Sequence, residues 1–175
     1  MMHLRQPLVI AKGRPLRVLL HARFSTEEQR QSSIDDQITA CQRFVEANLP
    51  TGTKPKDVAI DVIKEPEVSG EIADRPGINQ VWAGIESKRW DLIIAEESSR
   101  LYRHHTKAGE LFESAVDADV RVICTSDYID TADDDWPDRL HMSQMQHARS
   151  NFYTRKRIER AHDGLWARGA AVGNT

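Results

Sequence analysis

Cysteine is scarce in this chain. Cys41 and Cys124 are the only two in 175 residues, far apart and outside any CxxC spacing. That argues against a disulfide frame or a zinc site and for a reducing compartment, so a cytoplasmic location is expected. Long apolar runs are missing as well. No segment approaches the length of a membrane span and no N-terminal stretch forms a signal-peptide core, so no membrane partner is expected. Aromatic residues make up 6% of the chain and do not interleave with basic ones as a base-stacking platform requires. Trp82 and Trp90 therefore read as packing residues. No glycine-rich loop follows the first apolar run, which counts against a domain that cradles a nucleotide. Internal repeats and low-complexity tracts are absent.

What is present is a soluble globular composition, 39% hydrophobic and 29% charged, at a length suited to one domain with a real core. The net charge of −3 conceals two poles. Acid concentrates in Asp130–Asp138 and base in Arg149–Arg168, so the mean says little about partners.

The hydrophobic pattern alternates between strands and helices. Residues 1–15, with Pro7, Gly13 and Pro15, read as a loose arm partly foreign to the core. Leu16–Phe24 reads as a strand, and Ser33 as the cap of a helix whose Ile34, Ile38, Cys41, Val45 and Leu49 share one face. Val58–Ile63 is a second strand, followed by a loop to Pro76 of a length that is often functional. Pro76 opens a helix with Ile78, Val81, Trp82 and Ile85 inward. Asp91–Ala95 is a strand, Leu101–Val116 a helix and Val120–Cys124 a strand. This order means an α/β fold, a small and mostly parallel sheet flanked by helices, over residues 16–135. Residues 136–175 read as a long helix, partly apolar and then basic, that packs in part on another subunit and in part meets an anion such as DNA.

Candidate chemistry starts where the first strand ends. Arg23 and Ser25 have the same parity, so they leave the strand on one side if it persists through them. An arginine beside a serine suits a hydroxyl that attacks phosphate, the guanidinium holding the oxygens that gain charge. Three further motifs follow in order: Ser33-Ile34-x-x-Gln37; Ser69-Gly70 with Arg75-Pro76-Gly77; and Ser99-Arg100-Leu101-x-Arg103. With Arg23-Phe24-Ser25-Thr26-x-x-Gln29, this set resembles the catalytic domain of serine recombinases, the resolvases, invertases and large serine integrases or transposases. The openings lean toward the large-recombinase branch.

The resemblance implies a resolvase-like fold whose long helix makes the dimer, and a tetramer in the synaptic complex. It implies a site-specific DNA recombinase in which Ser25 attacks a phosphodiester to give a 5′-phosphoserine, with no metal or cofactor. Arg23, Arg75, Arg100 and Arg103 would hold the phosphate, and Gln29 and Ser69 would support them. Arg160 resembles the helix arginine that completes the family's site, with Glu159 beside it. Ser99 stands where the family usually has an aspartate proposed to assist proton transfer to the leaving oxygen, and Glu96 or Glu97 could stand in. The alternative is a catalytically impaired oligomerisation or regulatory module of the same fold. His104-His105 is not a metal pair, because adjacent helical residues point apart. The run Arg155-Lys156-Arg157 is ordinarily a solvated face, and gains meaning only from lying on the helix that the family sends along DNA.

Overall fold

A computed structural model of the chain describes residues 2–23, 31–65, 75–102 and 104–167, with backbone alone for 31–33, 105, 151 and 163–167. Among the described residues five strands form one sheet in the order β2-β1-β3-β4-β5. They are β1 (Leu16–Arg23), β2 (Val58–Glu65), β3 (Leu92–Ala95), β4 (Arg121–Cys124) and β5 (Ile129–Asp130). The first four run parallel, and β5 pairs antiparallel with β4. Among the described residues five α-helices accompany them, α1 (Gln31–Asn48), α2 (Pro76–Glu86), the single turn α3 (Ser98–Leu101), α4 (His105–Asp117) and α5 (Trp136–Ala167), with a 3-10 turn at Pro55–Asp57.

Strand β1 is apolar through Val18, Leu19 and Leu20 because both its faces are covered there. Leu16, Val18 and Leu20 pack with Cys41, Phe44 and Val45 of α1, while Leu19 packs in the other layer with α2, α4 and the start of α5. The chain leaves β1 toward β2 on one side and later returns to β3 on the other. The carboxyl ends of β1 and β3 therefore flank the point where strand order reverses, the place where α/β sheets form ligand crevices.

Four expectations need correction. The arm, from residue 2 to residue 15, forms no helix or strand but is not foreign to the core: Met2 and Leu8 are buried against α1 and the sheet. Arg121 of β4 also donates to the Gln6 and Pro7 carbonyls at 2.7 and 3.2 Å. Helix α1 already runs at Gln31, so Ser33 lies inside it rather than capping it. The expected helix Leu101–Val116 is broken, with extended backbone at Tyr102 (φ −143°, ψ 134°) separating α3 from α4. The cause is Arg75, whose guanidinium donates to the Leu101 and Arg100 carbonyls at 2.8 and 3.4 Å, groups that continued helix would have used. Finally, β5 was not expected from the sequence. Tyr128 adopts a left-handed conformation (φ 57°) in the turn leading to it, where glycine or asparagine would have signalled a hairpin.

Candidate active site at the carboxyl edge of the sheet

Arg23 ends β1 with its side chain buried. Gln37 of α1 clamps its backbone, with the Arg23 N–H approaching Gln37 Oε1 at 3.4 Å and Gln37 Nε2 donating to the Arg23 carbonyl at 3.3 Å. From there Arg23 Nη2 donates to the Ser99 carbonyl at 2.8 Å, bridging β1 to α3 across the switch point. Arg75 immediately precedes α2 and reaches the same turn through the two carbonyls named above, with Tyr102 beneath its guanidinium at 5.4 Å. Arg100 lies on α3, largely buried, and its Nε has no partner among the described residues. Three guanidinium groups from three chain segments thus converge on one helical turn.

Carboxylates organise this cluster without cancelling it. Glu65, the last residue of β2, accepts from Arg75 Nη2 through one oxygen and from the Ile78 N–H at 2.8 Å through the other. His21 Nε2 lies 3.4 Å from Glu65 Oε2 and is fully enclosed. Burial works against the charged form of Glu65, but His21 and the Arg75 guanidinium outweigh it and hold its pKa down at about 2. Burial pushes the His21 imidazole below its ordinary value, which favours the neutral ring. Gly77 fits against this carboxylate because a Cβ there would collide with the Glu65 side chain.

Nearer the surface, Ser99 Oγ donates to Glu97 Oε2 at 2.9 Å, and Arg100 Nη2 lies 3.6 Å from the same oxygen. Burial raises the pKa of the neighbouring Glu96, with Glu97 and Asp127 adding to the effect and Arg100 opposing it. Ser98 is fixed from behind, its N–H and Oγ both donating to Asp127 Oδ2 at 2.7 Å.

Of the residues expected at the site, Arg23, Arg75, Ser99 and Arg100 are brought together. Ser25, Gln29, Ser69 and Arg103 lie outside the described residues. Glu159 and Arg160 are exposed on α5, about 20 Å along its axis beyond His147, so a single chain does not bring them to the cluster. Sequence reading missed Glu65, His21 and Asp127. The one available signal was position, since Glu65 ends β2 directly opposite Arg23 in the register.

Residues 18–174 match the family described as Resolvase, N terminal domain. The chain belongs to that family. Solved serine recombinase domains share the fold of this resolvase domain. The N-terminal catalytic domain of TP901-1 integrase superimposes with a TM-score of 0.56 at 21% identity, covering 80% of this chain and 97% of that one. A resolvase family site-specific recombinase from Streptococcus pneumoniae gives 0.52 at 19% identity, covering 88% and 98%. The C-terminal catalytic domain of ISC1926 TnpA, an IS607-like serine recombinase, gives 0.51 at 22% identity, covering 63% and 67%. No curated protein matches the chain. Among the described residues of the resolvase domain no helix is long and apolar enough to cross a membrane.

Proposed function

We propose that this resolvase domain breaks and rejoins DNA strands with Ser25 as the nucleophile. The Ser25 oxygen bonds to phosphorus, the P–O3′ bond breaks, and the proton lost by the serine hydroxyl is balanced by one gained at O3′. A 5′-phosphoserine results, and attack by a 3′ hydroxyl reverses it. The observation that carries this reading is the arginine cluster. Arg23 and Arg75 donate to backbone carbonyls of the turn that carries Arg100, Arg75 also pairing with Glu65 and Arg100 lying 3.6 Å from Glu97, so three guanidinium groups from separate segments stand together where a phosphate would be held. Arg103, Gln29 and Ser69 complete the proposed set.

The proposed partners are DNA and further copies of the chain, as a dimer and as a tetramer in the synaptic complex. Helix α5 supports this, because Met142, Met145, Phe152, Tyr153 and Ile158 are all more than half exposed on it, beside Arg149 and Lys156. Glu159 and Arg160 would then act in an assembly rather than in the isolated chain. The sequence motifs favour the large-recombinase branch.

Ser99 favours a second reading, an impaired module of the same fold, because a serine hydroxyl is no acid near neutral pH. Its bond to Glu97 supplies a carboxylate one atom away, which supports an active enzyme. The deciding experiment uses the full chain, fused to a DNA-binding domain, with duplex DNA on a denaturing gel. A covalent adduct that vanishes in Ser25→Ala supports cleavage. Bound DNA without an adduct in either protein leaves the impaired module. Loss of cleavage in Glu97→Gln but not in Ser99→Ala would place the acid at Glu97.

A further inference from the structure

Helix α5 has two halves with different surroundings. Leu140, Ser143 and Gln144 are buried against the domain, whereas every described side chain from Ala148 to His162 is exposed. His147 is half-buried and is the last described contact before the helix projects. Its Nε2 lies 3.4 Å from Asp127 Oδ1, on the turn between β4 and β5. The other Asp127 oxygen holds the N–H and hydroxyl of Ser98, and Ser98 Oγ in turn meets Ser143 Oγ at 3.2 Å. Ser143 and His147 are four residues apart and share one face of α5. One carboxylate therefore joins the long helix to the turn that carries Arg100.

We propose that Asp127 and His147 are positioning residues that fix the direction in which α5 leaves the domain, relative to the arginine-bearing turn α3. Leverage makes the direction matter. About 20 residues of α5 follow His147, some 30 Å of helix, so a tilt of about 10° at the tether moves the far end by about 5 Å. Glu159 and Arg160, about 20 Å along the axis, move by about 3 Å, the span of a hydrogen bond, which carries them into or out of reach of a partner.

The strength of the tether depends on the charge of His147. It faces Asp127 from the β4–β5 turn, and Glu97 and Arg100 from around α3. The neighbouring positions on its own helix face, Ser143, Gln144, Ser150 and Asn151, carry no titratable group. Two carboxylates against one guanidinium favour the imidazolium, and the bond to Asp127 raises the His147 pKa. Asp127 is in turn held ionised, because the bonds from His147, Ser98 and Ser143 outweigh the effect of burial. The tether is an ion pair at acidic pH and a weaker neutral contact once the imidazole loses its proton.

Any consequence for catalysis rests on the proposed role of Arg100, but the tether itself does not. Spin labels at Glu113→Cys on α4 and Arg155→Cys on α5 of the full chain would report the helix direction. The native thiols are buried, with raised pKa values, and resist labelling. The wild-type distance distribution is expected to be narrow at about pH 6 and to broaden toward about pH 9. His147→Gln should be broad throughout, and His147→Lys, which restores a permanent cation, narrow throughout. Adduct formation on DNA should slow roughly tenfold in His147→Gln. A His147→Gln distribution identical to wild type, or a wild-type distribution that ignores pH, overturns the proposal whatever the protein does to DNA. Labels that respond as expected while no variant forms an adduct leave the tether standing and remove the reading of function.

Discussion

Strands β1 and β3 lie side by side, and arginines close the pair at both ends in opposite ways. At the amino edge Asp91 receives everything. Arg14 donates to it at 2.6 and 2.9 Å, the Arg17 side chain at 3.2 and 2.8 Å, and the Arg17 N–H at 3.0 Å. Burial opposes the Asp91 charge, but these donors overcome it and hold the carboxyl well below the usual carboxylate range. At the carboxyl edge the partners are divided: Arg23 donates to the Ser99 carbonyl, Arg75 shares its donors between two carbonyls and Glu65, and Arg100 lies 3.6 Å from Glu97. Two arginines converging on one carboxylate serve the fold, whereas three arginines from separate segments converging on one backbone turn make a place suited to an anion.

The sharpest break between the edges is chemical. Arg100→Gln should lower adduct formation by roughly 10²–10³ while leaving the urea midpoint nearly unchanged, since one charge-stabilising donor is worth that much. Next comes Glu65→Gln. It uncouples a buried ion pair and should cost about 3 kcal/mol in urea unfolding. The acid dependence follows from the lowered pKa: stability from Glu65 is fully present above its ordinary value of 4.5 and is lost as pH falls toward about 2. Glu65→Gln should therefore flatten the acid limb of the stability curve. Smaller still, Asp91→Asn should cost about 1–2 kcal/mol in the same measurement without slowing the adduct. The smallest change belongs to the exposed Arg14: Arg14→Ala should leave both assays indistinguishable from wild type.

Much of the scaffold was legible because its signals are local. The apolar run of β1, Pro76 at the start of α2 and the alternation of elements sufficed for the parallel sheet and for the segments that bear Arg23, Arg75 and Arg100. What escaped depends on contacts distant in sequence. The break at Tyr102 is imposed by Arg75 from 27 residues away. The docking of Met2 and Leu8 depends on an α1 surface that no local pattern displays. Strand β5 hides behind a turn built without glycine, and the carboxylates Glu65 and Asp127 acquire their partners only when the sheet assembles. The motif order pointed to the family, while the geometry distinguished the arginines that face the switch point from those that staple its far end.

The central claim is that the carboxyl-edge arginines are shaped for phosphate. Its most direct test compares covalent adduct formation by Arg23→Lys and Arg17→Lys on one DNA duplex. Both substitutions keep the charge and lose the guanidinium fork. The account predicts that Arg23→Lys loses the adduct and Arg17→Lys retains it at the wild-type rate. Adducts at equal rates in both variants, or a loss confined to Arg17→Lys, would contradict it.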